Sequence, residues 1–397
     1  MKQKPVLLAL LCASAAWFAY DRLKPSEEAG IVGLVQEGKG TALVLLSENY
    51  RIDKIFQSMQ GPFSSHSDIA LIPEKEPELV WITGTDSEVR KPNGKEGISQ
   101  EYFCHANLSL DQKLNSPDAH NEQFGTSLDW RLFTLVPGKM GIHLPEGYGI
   151  PVSSQEKFDF VSMSLNLNDP KPDFQMRFKS RIHFVRESEA PGKMKPVFLR
   201  TLFVVVPIGE GTNQGKMLPE AICAMPNSTG TVARLSQGMS CAPPSLTASK
   251  GGVRGTNTLH WMVPPGRHTY ISDVSSQMKL DFDTTMHYAT GHLHPMGEGL
   301  VLRDATTGET ILEIKSKDYA DKKGVALMEE FTFPGGIKIY KDHKYELEAT
   351  YNNRTEEDAD AMAIVYTYLL EQNFDRMAGI KANGRSTANV AHVENKM

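Results

Sequence analysis

Hydrophobic residues recur along this chain in short runs, many with polar neighbours at alternate positions and few at the spacing of a helix face. Gly299-Leu-Val-Leu-Arg-Asp304 is one such run; Ala305-Thr-Thr-Gly-Glu309 turns the chain, and Thr310-Ile-Leu-Glu-Ile314 alternates again. Alternation with period two buries one face of a strand, and a polar break containing Gly between two such runs predicts a hairpin. Similar β-rich runs lie at 79–83, 100–110, 130–136, 158–167, 181–186 and 198–207, then at 258–263, 287–294, 338–340, 345–351 and 361–369. Helical patterns are brief and confined to 49–59 and 318–330. Many short strands separated by regular turns predict an all-β fold: two tandem jelly-roll-like β-sandwich domains with few short helices.

The polar, Gly-rich run Pro207-Ile-Gly-Glu-Gly-Thr-Asn-Gln-Gly-Lys216 follows the apolar Leu202–Val206 and is the best seam. It divides the body into 25–206 and 207–374; beyond, 375–397 is polar, lacks periodicity and reads as a flexible tail. No repeat of the solenoid kind is present.

Residues 1–24 stand apart. Lys2 and Lys4 precede the apolar run Val6–Tyr20, closed by Asp21, Arg22 and Lys24. As a helix that run spans about 22 Å, short of the roughly 30 Å hydrocarbon core. The charged start, the short apolar stretch and the small residues Ala13-Ser14-Ala15 read as an export signal, whereas Trp17 and Phe18 extend the run as in an uncleaved anchor. Either way the body is expected outside the cytoplasm, periplasmic or extracellular, with any membrane tether supplied by residues 6–20.

The length of 397 residues suits two domains, and 8% aromatic with 23% charged residues excludes wholesale disorder. A net charge of −6 without a basic block argues against nucleic acid as a partner. Export permits disulfides; Cys223 and Cys241 flank a Pro/Asn/Ser/Gly-rich loop and are the candidate pair, with Cys104 the odd thiol.

The chemistry gathers in the second half. In Tyr288-Ala-Thr-Gly-His292-Leu-His294, positions i and i+2 of a strand put both imidazoles on one face, where they can share a metal ion. Met362, in Asp358-Ala-Asp-Ala-Met362-Ala-Ile-Val-Tyr366, is the candidate third ligand; a thioether suits Cu(I) better than zinc. The competing reading of Met362 is plain core packing. His287, His343 and His183 have no partner by spacing and read as structural or solvated. No phosphate loop, Ser-His-Asp order or acid/base carboxylate pair stands out.

The run Met286–His294, preceded by Val263-Pro-Pro-Gly-Arg267 and followed by Ala361-Met362-Ala-Ile-Val-Tyr366, resembles the copper type II, ascorbate-dependent monooxygenases. Peptidylglycine α-hydroxylating monooxygenase and dopamine β-monooxygenase are their best-known members. The segment Leu144-Pro-Glu-Gly-Tyr-Gly-Ile-Pro-Val152 is similar to theirs as well, and the resemblance covers roughly residues 50 to 373. It implies two jelly-roll-like domains with one copper each, the catalytic copper held by His292, His294 and Met362, and Tyr366 as a substrate contact. It also implies dioxygen as oxidant and ascorbate or another external reductant.

The chain departs from that pattern in the first half. Where the family has a His-His pair this chain has Cys104-His105, and where it has a third His the chain has Asn166. Cys104, His105 and Asn166 are therefore either a degenerate second metal site or a buried small hydrophobe, a hydrogen-bonded remnant and a polar residue. Thr290 stands where the peptide-hydroxylating members carry an Arg that grips the substrate carboxylate, and Ile364 replaces a polar partner, so peptidylglycine is not the expected substrate. Three functions follow in order of preference. The first is an exported monooxygenase with one copper site, acting on an unidentified small-molecule, lipid or peptide-like substrate with help from a redox partner. The others are a non-catalytic copper-holding protein and a metal-free two-sandwich interaction module.

Overall fold

The computed structural model describes residues 29–381 apart from 39, 73–76, 112, 116, 191, 210 and 217–256. Residues 1–24, expected to act as an export signal or anchor, and the candidate disulfide Cys223–Cys241 lie outside the described residues. Among the described residues, twenty-four strands and a few helical turns make an all-β fold, with jelly-roll-like stacked sheets in each half. Among the described residues no helix is long and apolar enough to cross a membrane.

One long sheet runs through both halves. In order it contains β1 (Gly30–Glu37), β2 (Gly40–Leu46), β11 (Phe174–Arg186), β5 (Leu79–Arg90), β9 (Tyr148–Ser153), β12 (Lys195–Phe203), β24 (Ala363–Leu370), β17 (Thr284–Leu293) and β21 (Glu330–Ile339). β3 (Tyr50–Ile52) pairs with β11, and β8 (Gly141–His143) with β5. In the first half this sheet is stacked on four strands ordered β4 (Phe63–Ala70), β10 (Lys157–Ser164), β6 (Phe103–Leu110) and β7 (Arg131–Leu135). In the second half the partner sheet is β16 (Gly266–Asp273), β22 (Tyr345–Asn353), β18 (Gly297–Asp304), β19 (Glu309–Asp318) and β20 (Val325–Met328). Two small ribbons, β13 (Val206–Pro207) with β14 (Asn257–Thr258) and β15 (Trp261–Val263) with β23 (Ala359–Ala361), complete the strands.

The sequence pattern explains which strands face water. In β22, Tyr345, Leu347, Ala349 and Tyr351 are buried while Glu346, Glu348, Thr350 and Asn352 are not, the alternation of a strand covered on one side. β6 and β17 are buried almost throughout, because both of their faces are covered. That double burial is what takes His105 and His292 out of water.

The change of sheet comes earlier than the Gly-rich seam. β12 pairs antiparallel with β24 from Val197↔Leu370 to Phe203↔Ile364, but touches β9 only through Lys195↔Tyr148 and Pro196↔Gly149. By its pairing β12 belongs to the second half, although it precedes residue 207. Polar ties also join the halves: Lys322 Nζ to Glu101 at 2.9 Å, Asn168 Nδ2 to the Lys323 carbonyl at 3.0 Å and Tyr368 Oη to the Leu132 carbonyl at 3.0 Å.

Neither expected helix forms. Within 49–59, Tyr50 and Ile52 point inward around exposed Arg51 as β3, and Phe56 bridges to Asn166. Within 318–330, Gly324 at φ +125° turns the chain between β19 and β20. The helices that do occur, α1 (Pro117–Phe124), α2 (Ser275–Met278) and α3 (Arg376–Lys381), lie elsewhere. α3 corrects the flexible-tail expectation for 375–381: Arg376 forms an ion pair with Glu187 at 2.6 Å and stacks over the Trp81 ring, anchoring the chain to β5.

Candidate metal centre

His292 and His294 sit at the end of β17, and the ladder to β24 pairs His292 with Ile364 and Leu293 with Ala363. Continued by one residue, that register sets His294 opposite Met362. β15 pairs Trp261 with Ala361 and Met262 with Asp360, so its register continued by one residue sets His260 on the other side of Met362. Met362 thus lies where β23 passes into β24, between two histidines.

A single phenol locks this arrangement. Tyr351, fully buried on β22, donates from its hydroxyl to the Met362 carbonyl at 2.6 Å and accepts from the His294 backbone N–H at 3.1 Å. Behind β17, Gly291 has no room for a side chain: a Cβ there would lie 2.6 Å from Leu300 Cδ1 and 3.3 Å from Met328 Sδ. The odd-numbered face of β17 is therefore pressed onto β18 and β20. The even-numbered face bears Tyr288, Thr290 and His292, and turns toward the first half, where Tyr368 packs on Phe133 at 5.3 Å.

The His292 and His294 rings are 5.1 Å apart, and His294 is 5.1 Å from His260. Asp360 joins them: Oδ2 lies 3.0 Å from His294 Nδ1, and Oδ1 lies against His260 Nε2. Donor atoms of His260, His294 and Asp360 all fall within 4.8 Å of one another. Burial pushes the Asp360 carboxyl up, but the His294 charge and the hydrogen bonds from His260 and His294 outweigh it and hold the group far below the usual carboxylate range. Burial, then the neighbouring His294, His105 and His260, push His292 well below the ordinary imidazole value. Its Nδ1 is buried without a hydrogen-bond partner. A neutral imidazole with an uncommitted lone pair is what a metal ligand requires.

Tyr366 is buried on β24 beside Thr290, on the same face as Ile364 and His292. Thr290 spends its hydroxyl on the Glu329 carbonyl at 2.9 Å. Of the remaining histidines, His287 accepts its expected structural place, with Nδ1 at 2.9 Å from the Phe333 carbonyl and its ring stacked on Tyr148. His343, expected in solvent, instead lies 2.6 Å from the buried carboxylate of Asp304.

The first-half set does not assemble as a trio. Asn166 donates both amide hydrogens, to the Lys54 and Asp169 carbonyls at 2.7 Å each, and its oxygen accepts from the backbone of Asn168 and Asp169. The side chain is consumed in shaping its own loop. Cys104 packs with Val161, Met163 and Leu165, its Sγ 3.3 Å from His105 Nδ1. Burial, then the Arg131 charge, push His105 down to about 3, and its Nε2 is buried without a hydrogen-bond partner.

That shift has a stability consequence. The folded His105 value lies below the unfolded one of about 6.5, so between these the unfolded chain binds the extra proton. The stability contributed by neutral His105 is whole above about pH 6.5 and is lost as pH falls toward about 3. Unfolding free energies measured between about pH 4 and 6 should show wild type losing about 1.4 kcal/mol per pH unit more than His105→Leu, the slope of one proton. Equal slopes would mean that His105 does not titrate this way.

His260 and Asp360 were not singled out by their sequence pattern. A signal existed: Asp360-Ala-Met362 has the same i, i+2 spacing as His292-Leu-His294, which puts both side chains on one face. His260 carried none, because its place depends on which strand pairs with β23.

No family model matches this chain, and no curated protein matches it. Solved structures with some likeness include one titled "Crystal Structure of the STIV MCP", at 7% identity and TM-score 0.29, covering 82% of this chain and 98% of that one. Another is a quasi-atomic model of the PBCV-1 virus capsid, at 6% identity and TM-score 0.28, covering 85% and 97%. A third is the PBSX exported protein XepA, at 9% identity and TM-score 0.17, covering 84% and 88%. Likeness at this level carries no argument about function.

Proposed function

We propose that this chain is an exported copper protein that holds one copper ion at His292, His294 and Met362 and uses it to hydroxylate a substrate with dioxygen. The observation that supports the reading is one phenol that ties the backbones of His294 and Met362 just past the last paired residues of β17 and β24, beside a buried His292 nitrogen that has no hydrogen-bond partner. Two imidazoles and a thioether suit Cu(I). Bound copper would supply a one-electron couple and a site for dioxygen activation.

The residues around it have separable tasks. Asp360 accepts from His294 Nδ1, which fixes the ring and leaves Nε2 for the metal; carboxylate-supported histidine ligands are common in metal sites. His292 and His294 are buried, whereas His260 and Asp360 are partly exposed. Thr290 and Tyr366, on the same face as His292, would line the approach of a substrate, and the absence of a guanidinium there disfavours an anchored carboxylate. Asp360→Asn keeps an oxygen beside His294 but removes the charge, and should weaken Cu(I) binding about 10- to 100-fold in competition with a Cu(I)-specific chelator. An unchanged affinity would remove Asp360 from the centre.

The state of Asn166 favours a second reading, a protein that holds Cu(I) without turnover. With that side chain consumed in its loop, Cys104, His105 and Asn166 do not make a second copper site, so a reaction needing two electrons would draw one from an outside reductant. Oxygen uptake by copper-loaded protein with ascorbate and a panel of C–H substrates distinguishes the two. Sustained uptake supports the monooxygenase; copper bound with no uptake leaves the holding function.

A further inference from the structure

A second group of metal-binding side chains lies in the first half, away from His292 and His294. Asp86 on β5, His143 on β8 and His183 on β11 are brought together by strand pairing, His183 meeting Gly84 on β5 and Gly84 meeting His143 on β8. Their donor atoms fall within 4.8 Å of one another. His183 Nε2 is 2.5 Å from Asp86 Oδ2, its Nδ1 is 3.3 Å from Glu37 at the end of β1, and the His143 and His183 rings are 4.9 Å apart.

We propose that Asp86, His143 and His183 form a zinc-binding site, with Glu37 of the β1–β2 hairpin supporting it through the other ring nitrogen of His183. Two imidazoles and a carboxylate are an established zinc donor set, and a carboxylate on the far nitrogen of a histidine ligand orients its ring. The backbone leaves room for the site. A Cβ at Gly84 would lie 3.0 Å from His143 Nδ1 and 2.4 Å from the Ile142 carbonyl, so only glycine lets the His143 ring sit over β5. Arg181 occupies the far side: it donates to Asp86 Oδ1 at 2.7 Å and to Glu88 at 3.2 Å, which orients the Asp86 carboxylate with Oδ2 toward the histidines.

A bound ion would tie three strands, and through the contact of His183 with Glu37 it would fasten the β1–β2 hairpin to the sheet. Zinc titration of the full chain, followed by metal counting after gel filtration, tests this. We expect His143→Ala, an exposed position whose loss leaves the core intact, to bind one zinc fewer than wild type, and His183→Gln to do the same. The affinity of any residual zinc at this site should fall about 100-fold or more. The His292→Ala/His294→Ala variant should keep this zinc, which separates the two centres. Equal zinc counts in wild type, His143→Ala and His183→Gln would overturn the proposal, as would a wild type that takes up no zinc.

Discussion

Replacing His292 and His294 together by alanine should take the copper content of the purified chain from one ion to none. Both rings are buried at the end of β17, and Met362 stands opposite them where β23 passes into β24. What remains, a thioether with one imidazole (His260) and the Asp360 carboxylate, lacks the imidazole pair of the proposed Cu(I) site. The substitution also removes the His294–Asp360 hydrogen bond and empties buried volume, so a cost of about 2–4 kcal/mol in stability should accompany the loss. Met362→Leu separates chemistry from folding, because a volume-conserving exchange costs less than about 1.5 kcal/mol while removing the sulfur. Metal analysis should show Met362→Leu folded, with copper weakly held or absent. A wild type free of copper after loading, or a double variant with its copper intact, would end the copper reading and leave the interaction module.

Tyr351→Phe is the second large effect. One hydroxyl serves two buried backbone groups, the His294 N–H and the Met362 carbonyl, and no water reaches a residue with no exposed surface. Phenylalanine keeps the ring packed near Trp261 but strands a donor and an acceptor at about 1–3 kcal/mol each. The expected loss of stability is about 2–6 kcal/mol, read as a fall of several degrees in Tm. Because the phenol joins the backbones that carry two proposed ligands, copper affinity should fall in parallel. A variant that melts as wild type does and binds copper equally well would show that the phenol is no clasp.

The all-β character could be read from the chain because alternation with period two is a property of adjacent residues, as in β18 and β22. The same local rule placed His292 and His294 on one face. It failed for 49–59 and 318–330, where apolar spacing resembled a helix turn but partners on β11 and β19 drew Tyr50–Ile52 and Val325–Met328 into ladders. Strand partners distant in sequence leave no mark in a short window.

The sequence by itself determined which residues carry soft or imidazole donors and which neighbours share a strand face. Tertiary structure alone decided that His260 and Asp360 stand beside His294, that the Asn166 amide is used up by its own loop, and that Asp86, His143 and His183 meet on one sheet. The reason is register. Sidedness within a strand is fixed by backbone geometry over two residues, whereas convergence between strands depends on which residues align across a ladder, and that is settled by packing of the whole core.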